Sequence, residues 1–306
     1  MGGSRWDNND WKSYAKVNSY ATKSMDDIFT SRKINNYLDP KNISVRESRD
    51  SDANPNSTAI IVGLDVTGSM GHLAETIAKK GLNTLITEIY NRKPVTDPHI
   101  LIMGIGDADA GDKAPLQATQ FEADLKLIEQ LERIFIEHGG GGNNYESYIL
   151  AWFFAARKTS TDCLEKRGKK GYLFTIGDEE PTPSLTSVAA NVIGETIQSD
   201  ISAKELLAIV SRQYEVFHII IEEGNHACAH GPKVKTAWTN LLGQRALPLS
   251  DHTKLAEVIV SAIQAVEGVD HDTIHKSWDG NTGLVVSKAI TGLTKMTTNN
   301  DGIVRL

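Results

Sequence analysis

Four segments of the chain consist almost entirely of apolar residues, many of them β-branched, and this pattern is typical of buried parallel strands. They lie at residues 58–65, 99–106, 171–177 and 214–221. Apolar residues at helical spacing predict helices at residues 72–90, 123–137, 145–157, 185–193, 203–212, 233–242 and 254–266. A short apolar run at 245–249 predicts an edge strand. The alternation predicts an α/β fold, with a doubly wound, mostly parallel sheet that carries helices on both faces.

The two ends of the chain differ in composition from this alternating region. Residues 1–57 are rich in Ser, Asn, Asp and Lys, so we expect a polar arm and linker, flexible or loosely docked, with a short helix near 25–38. In the alternative interpretation, this arm docks a partner through its tryptophans. Residues 58–267 form the α/β domain, and residues 268–306, rich in Gly, Thr and Asn, form a C-terminal extension.

The composition of the chain argues against nucleic-acid binding and against a membrane span. The chain has 306 residues, with 32 basic and 39 acidic side chains and a net charge of -7. A nucleic-acid surface needs clustered positive charge, so we expect no nucleic-acid partner. Cys163 and Cys228 fit a reducing compartment, and the longest apolar run, residues 148–156, is far shorter than the ~20 residues of a membrane span. We therefore expect a cytoplasmic protein with no membrane span.

Three oxygen-bearing side chains follow the first strand. Asp65, Thr67 and Ser69 occupy alternate positions in the turn that leads into the next helix. Short side chains spaced in this way can converge on one point, and hard oxygen ligands suit a small hard cation, Mg²⁺ above all. Asp65 or Ser69 alone also fits a helix cap without any metal.

Two further loops carry oxygen donors. In the first, four glycines at 139–142 precede Asn143 and Asn144, either of which offers a side-chain carbonyl. In the second, the strand at 171–177 is followed directly by Asp178. Ligands of such sheets sit beyond the carboxyl ends of the strands, so the three loops together predict one cation site.

The sequence DVTGSM, which begins at Asp65, resembles the D-x-S/T-x-S motif of von Willebrand factor type A (vWA) domains. In that family, three loops at the top of a Rossmann-like sheet build a metal-ion-dependent adhesion site (MIDAS). The resemblance covers residues 58–267 and implies these metal ligands: Asp65, Thr67, Ser69, Asn143 and Asp178. Asn143 stands where the family usually has a threonine, and Asn144 is the alternative. The implied cofactor is Mg²⁺, with Mn²⁺ or Ca²⁺ as alternatives.

The resemblance also implies a function. The metal of these domains is usually not catalytic, because a carboxylate from a partner fills its open coordination position. A cation held mostly by neutral hydroxyls stays electrophilic and attracts an external anion. The runs HGGGGNNYESY and GYLFTIGDEEP look like those of intracellular vWA proteins of bacteria and phages. We therefore expect a non-enzymatic adaptor in a multiprotein system, whose partner offers an Asp or Glu carboxylate and is an AAA+ ATPase or another component.

The enzyme alternative is a phosphatase or phosphotransferase of the haloacid-dehalogenase type. In that reading Asp65 attacks phosphorus, Asp178 helps to hold Mg²⁺, and Lys169 or Lys170 supplies the positive charge. The glycine loop has no role in such an enzyme, and the sequence after Ser69 continues directly into a helix, with no flap to cover the active site. The phosphatase hypothesis therefore remains the alternative to the adaptor.

Two other clusters leave alternatives open. In an extended chain His226, Cys228 and His230 would point the same way and could bind zinc, although a polar loop with a buried cysteine fits as well. The acidic loop that begins at Asp107 fits either a solvated loop or a second cation site, with Asp107 in a supporting role.

Overall fold

A six-stranded sheet forms the centre of the computed structural model, which describes residues 5, 7–17, 23–70, 72–77, 81–136 and 143–294. All strands of the described chain are β1 (Arg46–Ser48), β2 (Thr58–Asp65), β3 (Pro98–Ile105), β4 (Leu116–Ala118), β5 (Tyr145–Glu146), β6 (Thr159–Thr161), β7 (Gly171–Gly177), β8 (Glu180–Pro181), β9 (Ser184–Leu185), β10 (Ile201–Ser202), β11 (Tyr214–Ile221) and β12 (Ala246–Leu249). The central sheet has the order β12-β11-β7-β2-β3-β4, and only β4 runs antiparallel to its neighbour.

Helices cover both faces of this sheet. They are α1 (Asn8–Val17), α2 (Met25–Ile28), α3 (His72–Thr76), α4 (Leu82–Arg92), α5 (Lys126–Leu131), α6 (Tyr148–Lys158), α7 (Asp162–Arg167), α8 (Ser187–Val192), α9 (Ala203–Val210), α10 (Asn225–Leu242), α11 (Leu255–Glu267), α12 (His271–Lys276) and α13 (Gly280–Ala289). Alternate residues of each strand belong to different cores, as the pleat requires. One core joins the sheet to α4, α5 and α11, and the other joins it to α6, α9 and α10. The predicted fold class is confirmed.

The strands match their predicted bounds better than the helices do. β2, β7 and β11 begin and end at the predicted residues, and β12 is an edge strand as expected. The predicted helix at 72–90 comprises α3 and α4, with residues 78–80 outside the described chain. The loop glycines at 139–142 also lie outside the described residues.

Helix α10 begins at Asn225, well before the predicted start at residue 233. Gly224 precedes it with extended backbone angles, and the chain enters the helix without a side-chain cap. Pro232 lies inside the helix, where it has no N–H to donate, and the backbone departs from helical angles at His230. A proline-associated kink therefore lets one helix span a segment whose composition indicated a loop.

The polar arm packs against the domain in its described part. Ile28, Phe29 and Leu38 are buried in the core that contains α4 and α11, and Trp11 and Tyr14 pack partly buried against that core. The strand β1 also pairs in parallel with β6. These contacts contradict the expectation of a loosely docked arm.

The part of the chain that the structure describes has no helix both long and apolar enough to cross a membrane.

Candidate metal centre

Four of the five predicted ligands meet at the carboxyl end of the sheet. Asp65 is the last residue of β2, Asp178 directly follows β7, and these two strands are neighbours in the sheet. The Ser69 hydroxyl donates to Asp178 Oδ1 at 2.8 Å, and the hydroxyls of Thr67 and Ser69 lie 3.3 Å apart. Parallel pairing thus brings the first and third loops into one hydrogen-bonded group, as the strand topology predicts.

The Asp65 carboxylate is completely buried, and both of its oxygens accept hydrogen bonds. Oδ1 accepts from the Thr67 N–H at 2.9 Å and from the Thr67 hydroxyl at 2.6 Å. Oδ2 accepts from the Tyr148 hydroxyl at 2.6 Å. Tyr148, the first residue of α6, has a fully buried ring that packs edge-on against His218 and Trp238. A rigid aromatic group therefore fixes the orientation of Asp65, a role that the sequence analysis did not assign.

The Asp178 carboxylate is held as closely. Besides the Ser69 bond at Oδ1, its Oδ2 accepts from the His226 N–H in the first turn of α10 at 2.8 Å. A Cβ added at Gly224 would lie 2.3 Å from the Asp178 Cβ and 2.4 Å from its Oδ2. Glycine is therefore required at residue 224 by the close approach of α10 to the carboxylate.

The structure does not bring Asn143 into this group. Asn143 is exposed, its amide Nδ2 donates to Asp107 Oδ2 at 2.5 Å, and its Oδ1 accepts from the Tyr145 N–H at 3.1 Å. Asn144 is exposed as well. No hydrogen bond of the described residues joins either asparagine to Asp65 or Asp178. Asn143 thus orders its own turn in this structure, and its role as a metal ligand stays a prediction.

Glu146 and Glu179 lie at the site instead, and the sequence analysis did not select them. They are 3% and 7% exposed, and one carboxylate oxygen of each, Oε2, is buried without any hydrogen-bond partner. Burial raises the pKa of both glutamates, and the Thr67 and Ser69 hydroxyls partly offset this rise at Glu146 and Glu179, respectively. Each hydroxyl of the motif thus lies near one of the two unassigned glutamates.

Burial and mutual repulsion favour the protonated forms of Asp65, Glu146 and Glu179. Burial, and then the charge of Asp178, raise the pKa of Asp65 to about 7. Burial, followed by the charges of Asp65 and Asp178, raises the pKa of Glu179 to about 8. Burial also raises the pKa of Glu146, with Asp65 and Glu179 as the next causes. These shifts show that the folded chain has gathered more negative charge than its own residues compensate.

The residues present fit a hard divalent cation. Five carboxylates are buried in the loops of the site: Asp65, Asp107, Glu146, Asp178 and Glu179. Among the described residues, no lysine or arginine forms an ion pair with any of them. An uncompensated buried carboxylate is costly, and oxygen-only donor sets select Mg²⁺, Mn²⁺ or Ca²⁺. The unpartnered oxygens of Glu146 and Glu179 are the atoms that such an ion would satisfy.

This donor set differs in one respect from the predicted one. The sequence motif predicts mostly neutral hydroxyls around the cation, which would leave the ion electrophilic. Glu146 and Glu179 add two carboxyl groups near the same Thr67 and Ser69 hydroxyls. The site can therefore neutralise a dication with its own side chains to a greater extent than predicted.

The predicted zinc cluster is not assembled. His226, Cys228 and His230 belong to the helix α10, and residues two apart on a helix point in widely different directions. Cys228 is exposed, and its Sγ lies 3.6 Å from the Glu222 carbonyl oxygen. The zinc alternative required an extended chain and the other alternative a polar loop, whereas the segment is helical.

The acidic loop after β3 buries its first aspartate, Asp107, and exposes residues 109–111. Asp107 is 1% exposed, and its carboxylate accepts from the Asp109 N–H at 2.9 Å and from Asn143 Nδ2. The Ser147 hydroxyl donates to it at 3.4 Å. Asp107 thus connects the β3 loop to the second loop, and its supporting role at a cation site stays a prediction.

A separate acid–histidine group lies near the ends of β11 and β12. Glu223, Asp251 and His252 place ligand atoms within 4.8 Å of one another. The Glu223 Oε2 atom already accepts from the His252 N–H at 2.6 Å and contacts its Nδ1 at 2.9 Å, and Asp251 caps the Thr253 N–H. Local hydrogen bonds therefore account for this group without a metal.

The pKa shifts predict that the metal-free protein loses stability as the pH rises from about 5 to 8. For Asp65 and Glu179, the folded pKa values of about 7 and 8 lie above the ordinary 3.8 and 4.5. The stabilisation is therefore complete below the ordinary values and is lost as the pH rises through the folded ones. Each carboxyl that keeps its proton contributes a slope of about 1.4 kcal/mol per pH unit.

Urea unfolding between pH 5 and pH 8, with a chelator present, measures this slope. Added Mg²⁺ is expected to recover the lost stability at pH 8, because it replaces the protons as the compensating charge. A profile that is flat or that rises with pH would contradict the assignment.

Comparison with known proteins adds little to this site. No family model matches the sequence, and no curated protein matches it. The open conformation of the pilus adhesin SpaC from Lactobacillus rhamnosus GG is similar over 76% of this chain and 31% of that chain, with 11% identity and a TM-score of 0.45. A second SpaC structure covers 72% and 32%, with 12% identity and a TM-score of 0.43. The chain thus spans about a third of the adhesin, and similarity at this level is uninformative about the site.

Proposed function

We propose that this chain is a non-enzymatic, divalent-cation-dependent protein-binding module of the vWA type, acting in an intracellular multiprotein system. The observation that carries the proposal is the meeting of Asp65, Thr67 and Ser69 with Asp178 in a buried group that holds unpartnered carboxylate oxygens. A bound cation would compensate the negative charge of this group and coordinate its unpartnered oxygens. No catalytic nucleophile or base is required for cation binding.

Asp65, Thr67, Ser69 and Asp178 would hold the cation, with Glu146 and Glu179 beside them. When bound, Mg²⁺ supplies a positive centre that can accept one further oxygen ligand. The chain's own residues set its place: Tyr148 orients Asp65, and the first turn of α10 orients Asp178. A partner with an exposed Asp or Glu fits this site because a carboxylate gives a charge-assisted and directional contact.

The phosphatase alternative has less support. Lys169 and Lys170 directly precede β7, whereas Asp65 ends the neighbouring parallel strand β2. Strands of seven or eight residues, rising ~3.3 Å per residue, place these lysines about 20 Å from the site. Lys169 is also paired with Glu267 at 2.8 Å. The turnover of a generic phosphate ester with Mg²⁺, lost in Asp65→Asn, would nevertheless favour the enzyme over the binding module.

The test is affinity purification from native lysate, with Mg²⁺ in one arm and EDTA in the other. Specific partners are expected to be captured with Mg²⁺ and lost with EDTA. They should also be lost with Asp178→Ala, but retained with Asp272→Ala, which removes an exposed carboxylate of α12. Capture that is unchanged by EDTA and by Asp178→Ala would show that the cation-bridged function is wrong.

A milder substitution should weaken the same binding without unfolding the chain. Thr67→Ala removes the hydroxyl that donates to Asp65 Oδ1 at 2.6 Å but leaves both aspartates in place. We expect about a tenfold loss in Mn²⁺ affinity, the lower end for residues that orient metal ligands. Isothermal titration with Mn²⁺ measures the change, and an affinity equal to wild type would remove Thr67 from the site.

A further inference from the structure

The carboxyl group of Glu179 is buried and has no cationic partner among the described residues. The residue is 7% exposed, and its Oε2 atom has no hydrogen-bond partner. The next residue, Glu180, is buried to a similar degree, but Lys233 Nζ lies 2.8 Å from its Oε2 and His226 Nε2 lies 3.5 Å from its Oε1. Lys233 thus neutralises the charge of Glu180. The adjacent Glu179 has no such partner among the described residues.

Buried aromatic residues hold the backbone of Glu179 on both sides. The Glu179 N–H donates to the Tyr148 hydroxyl at 3.4 Å, and the indole N–H of Trp238 donates to the Glu179 carbonyl at 2.8 Å. Both aromatic side chains are completely buried. The side chain of Glu179 therefore starts from a fixed point and cannot turn out to solvent by a simple loop movement.

Its surroundings place Glu179 at the metal centre. Burial and the charges of Asp65 and Asp178 raise the pKa of Glu179, so its carboxyl group lies near both aspartates, and Ser69 donates to Asp178 Oδ1 at 2.8 Å. Across the short parallel pair β5–β8, Glu146 is held opposite Pro181, so the second and third loops approach together. Glu146 is 3% exposed and lies deeper. Glu179 is therefore the more exposed of the two glutamates.

We propose that Glu179 is an internal ligand of the divalent cation, and that a partner's carboxylate binds by displacing it. The proposal rests on the proposed cation-dependent function and adds its regulation. With Glu179 in place, the cation has its charge balanced within the chain, and weak or incidental acidic groups do not bind. Only a partner that supplies further contacts can compete with a carboxylate already held at the site.

The experiment uses Mn²⁺ alone as the probe, with the full chain as wild type, Glu179→Gln, Glu179→Ala and Glu180→Gln. Electron paramagnetic resonance gives the Mn²⁺ affinity, and water-proton relaxation reports the water molecules on the bound ion. Glu179→Gln is expected to bind Mn²⁺ roughly 10–100-fold more weakly. Glu179→Ala should show higher relaxivity per bound ion, because water replaces the carboxylate. Glu180→Gln should match wild type in both measurements.

Acetate serves as the probe for the incoming carboxylate. Added to the Mn²⁺-loaded protein, it should displace water at about tenfold lower concentration in Glu179→Ala than in wild type. Thermal unfolding of the metal-free variants provides the control for folding. Because Glu179 faces Asp65 and Asp178, its neutralisation should leave the melting temperature equal or higher. A residue that serves the fold would lower it.

The outcomes separate this inference from the proposed function. No Mn²⁺ binding by wild type overturns both. Mn²⁺ binding that is lost in Asp178→Ala, but is unchanged in affinity and relaxivity by both Glu179 variants, overturns this inference alone. A metal-free melting temperature that falls further in Glu179→Gln than in Glu180→Gln also overturns it, because Glu179 would then support the fold. Weaker Mn²⁺ binding with unimpaired metal-free stability supports it.

Discussion

Asp65→Asn is expected to abolish stabilisation by Mg²⁺ while making the metal-free protein harder to unfold at pH 8. The amide keeps an acceptor for the two Thr67 donors and offers a donor to the Tyr148 hydroxyl, so the local hydrogen bonds survive. It removes a fully buried negative charge next to Asp178. Relief of that charge should raise the free energy of unfolding of the metal-free protein by about 2 kcal/mol.

The same substitution should remove the response to the cation. For wild type, Mg²⁺ at about 100 times its Kd adds about 2.7 kcal/mol to the free energy of unfolding. Asp65→Asn should show almost none of this gain, because the amide cannot supply the lost charge. Urea unfolding at pH 8, with Mg²⁺ or with EDTA, measures both effects. If Asp65→Asn lowers metal-free stability and keeps the Mg²⁺ gain, then Asp65 is a structural residue and not a ligand.

The convergence of Asp65 and Asp178 was predictable from local sequence because it needs only two facts. β2 and β7 are mostly apolar and do not alternate with polar residues, and this pattern is typical of strands that are buried on both faces of a sheet. Parallel strands of one sheet have their carboxyl ends at the same edge, so the residues at those ends are neighbours in space. The spacing within the turn then brings Thr67 and Ser69 alongside, without knowledge of any distant contact.

Glu146 and Glu179 were not predictable by the same reasoning. Glutamate is among the least often buried residues, so an unpaired Glu in a loop indicates exposure unless something else is known. Their burial depends on β5 and β8, a parallel pair of two residues each, which is too short to leave a periodic signal. The one available signal was position: Glu179 directly follows Asp178, and Glu146 shares a loop with the expected ligand.

Asn143 shows why the second loop is harder to predict than the first and third loops. A side-chain carbonyl after a glycine run is a plausible ligand, but asparagine is also a common turn residue because its carbonyl can accept from the backbone two residues later. The contact from the Tyr145 N–H to Asn143 Oδ1 is of this second kind.

The start of helix α10 was not predicted for a related reason. Gly, His and Pro each indicate a loop when they are considered one by one. The buried Val234 and Trp238 hold the helix in place through tertiary packing, which local sequence does not show.

Gly177→Ala is expected to damage both the fold and the site, because the last residue of β7 lies against the Tyr148 ring. An added Cβ would lie 2.0 Å from the Tyr148 hydroxyl oxygen and 2.6 Å from two ring carbons. The ring is completely buried between His218 and Trp238, so it has little room to retreat. Overpacking of this kind costs about 1–3 kcal/mol, and the close approach to ring atoms places this change at the upper end.

The substitution should also reduce cation binding, because Tyr148 is the donor to Asp65 Oδ2 and displacement of its hydroxyl releases that oxygen. Gly231→Ala is the matched control: it is the same change on α10, where an added Cβ meets nothing within 4 Å. The control should change the free energy of unfolding by at most ~1 kcal/mol, since the gain from replacing glycine is offset by the strain of a Cβ before Pro232. Denaturant unfolding and Mn²⁺ titration of the two variants decide the matter. Equal stability and equal affinity in both would show that Tyr148 can move freely, and that the aromatic support proposed for Asp65 does not exist.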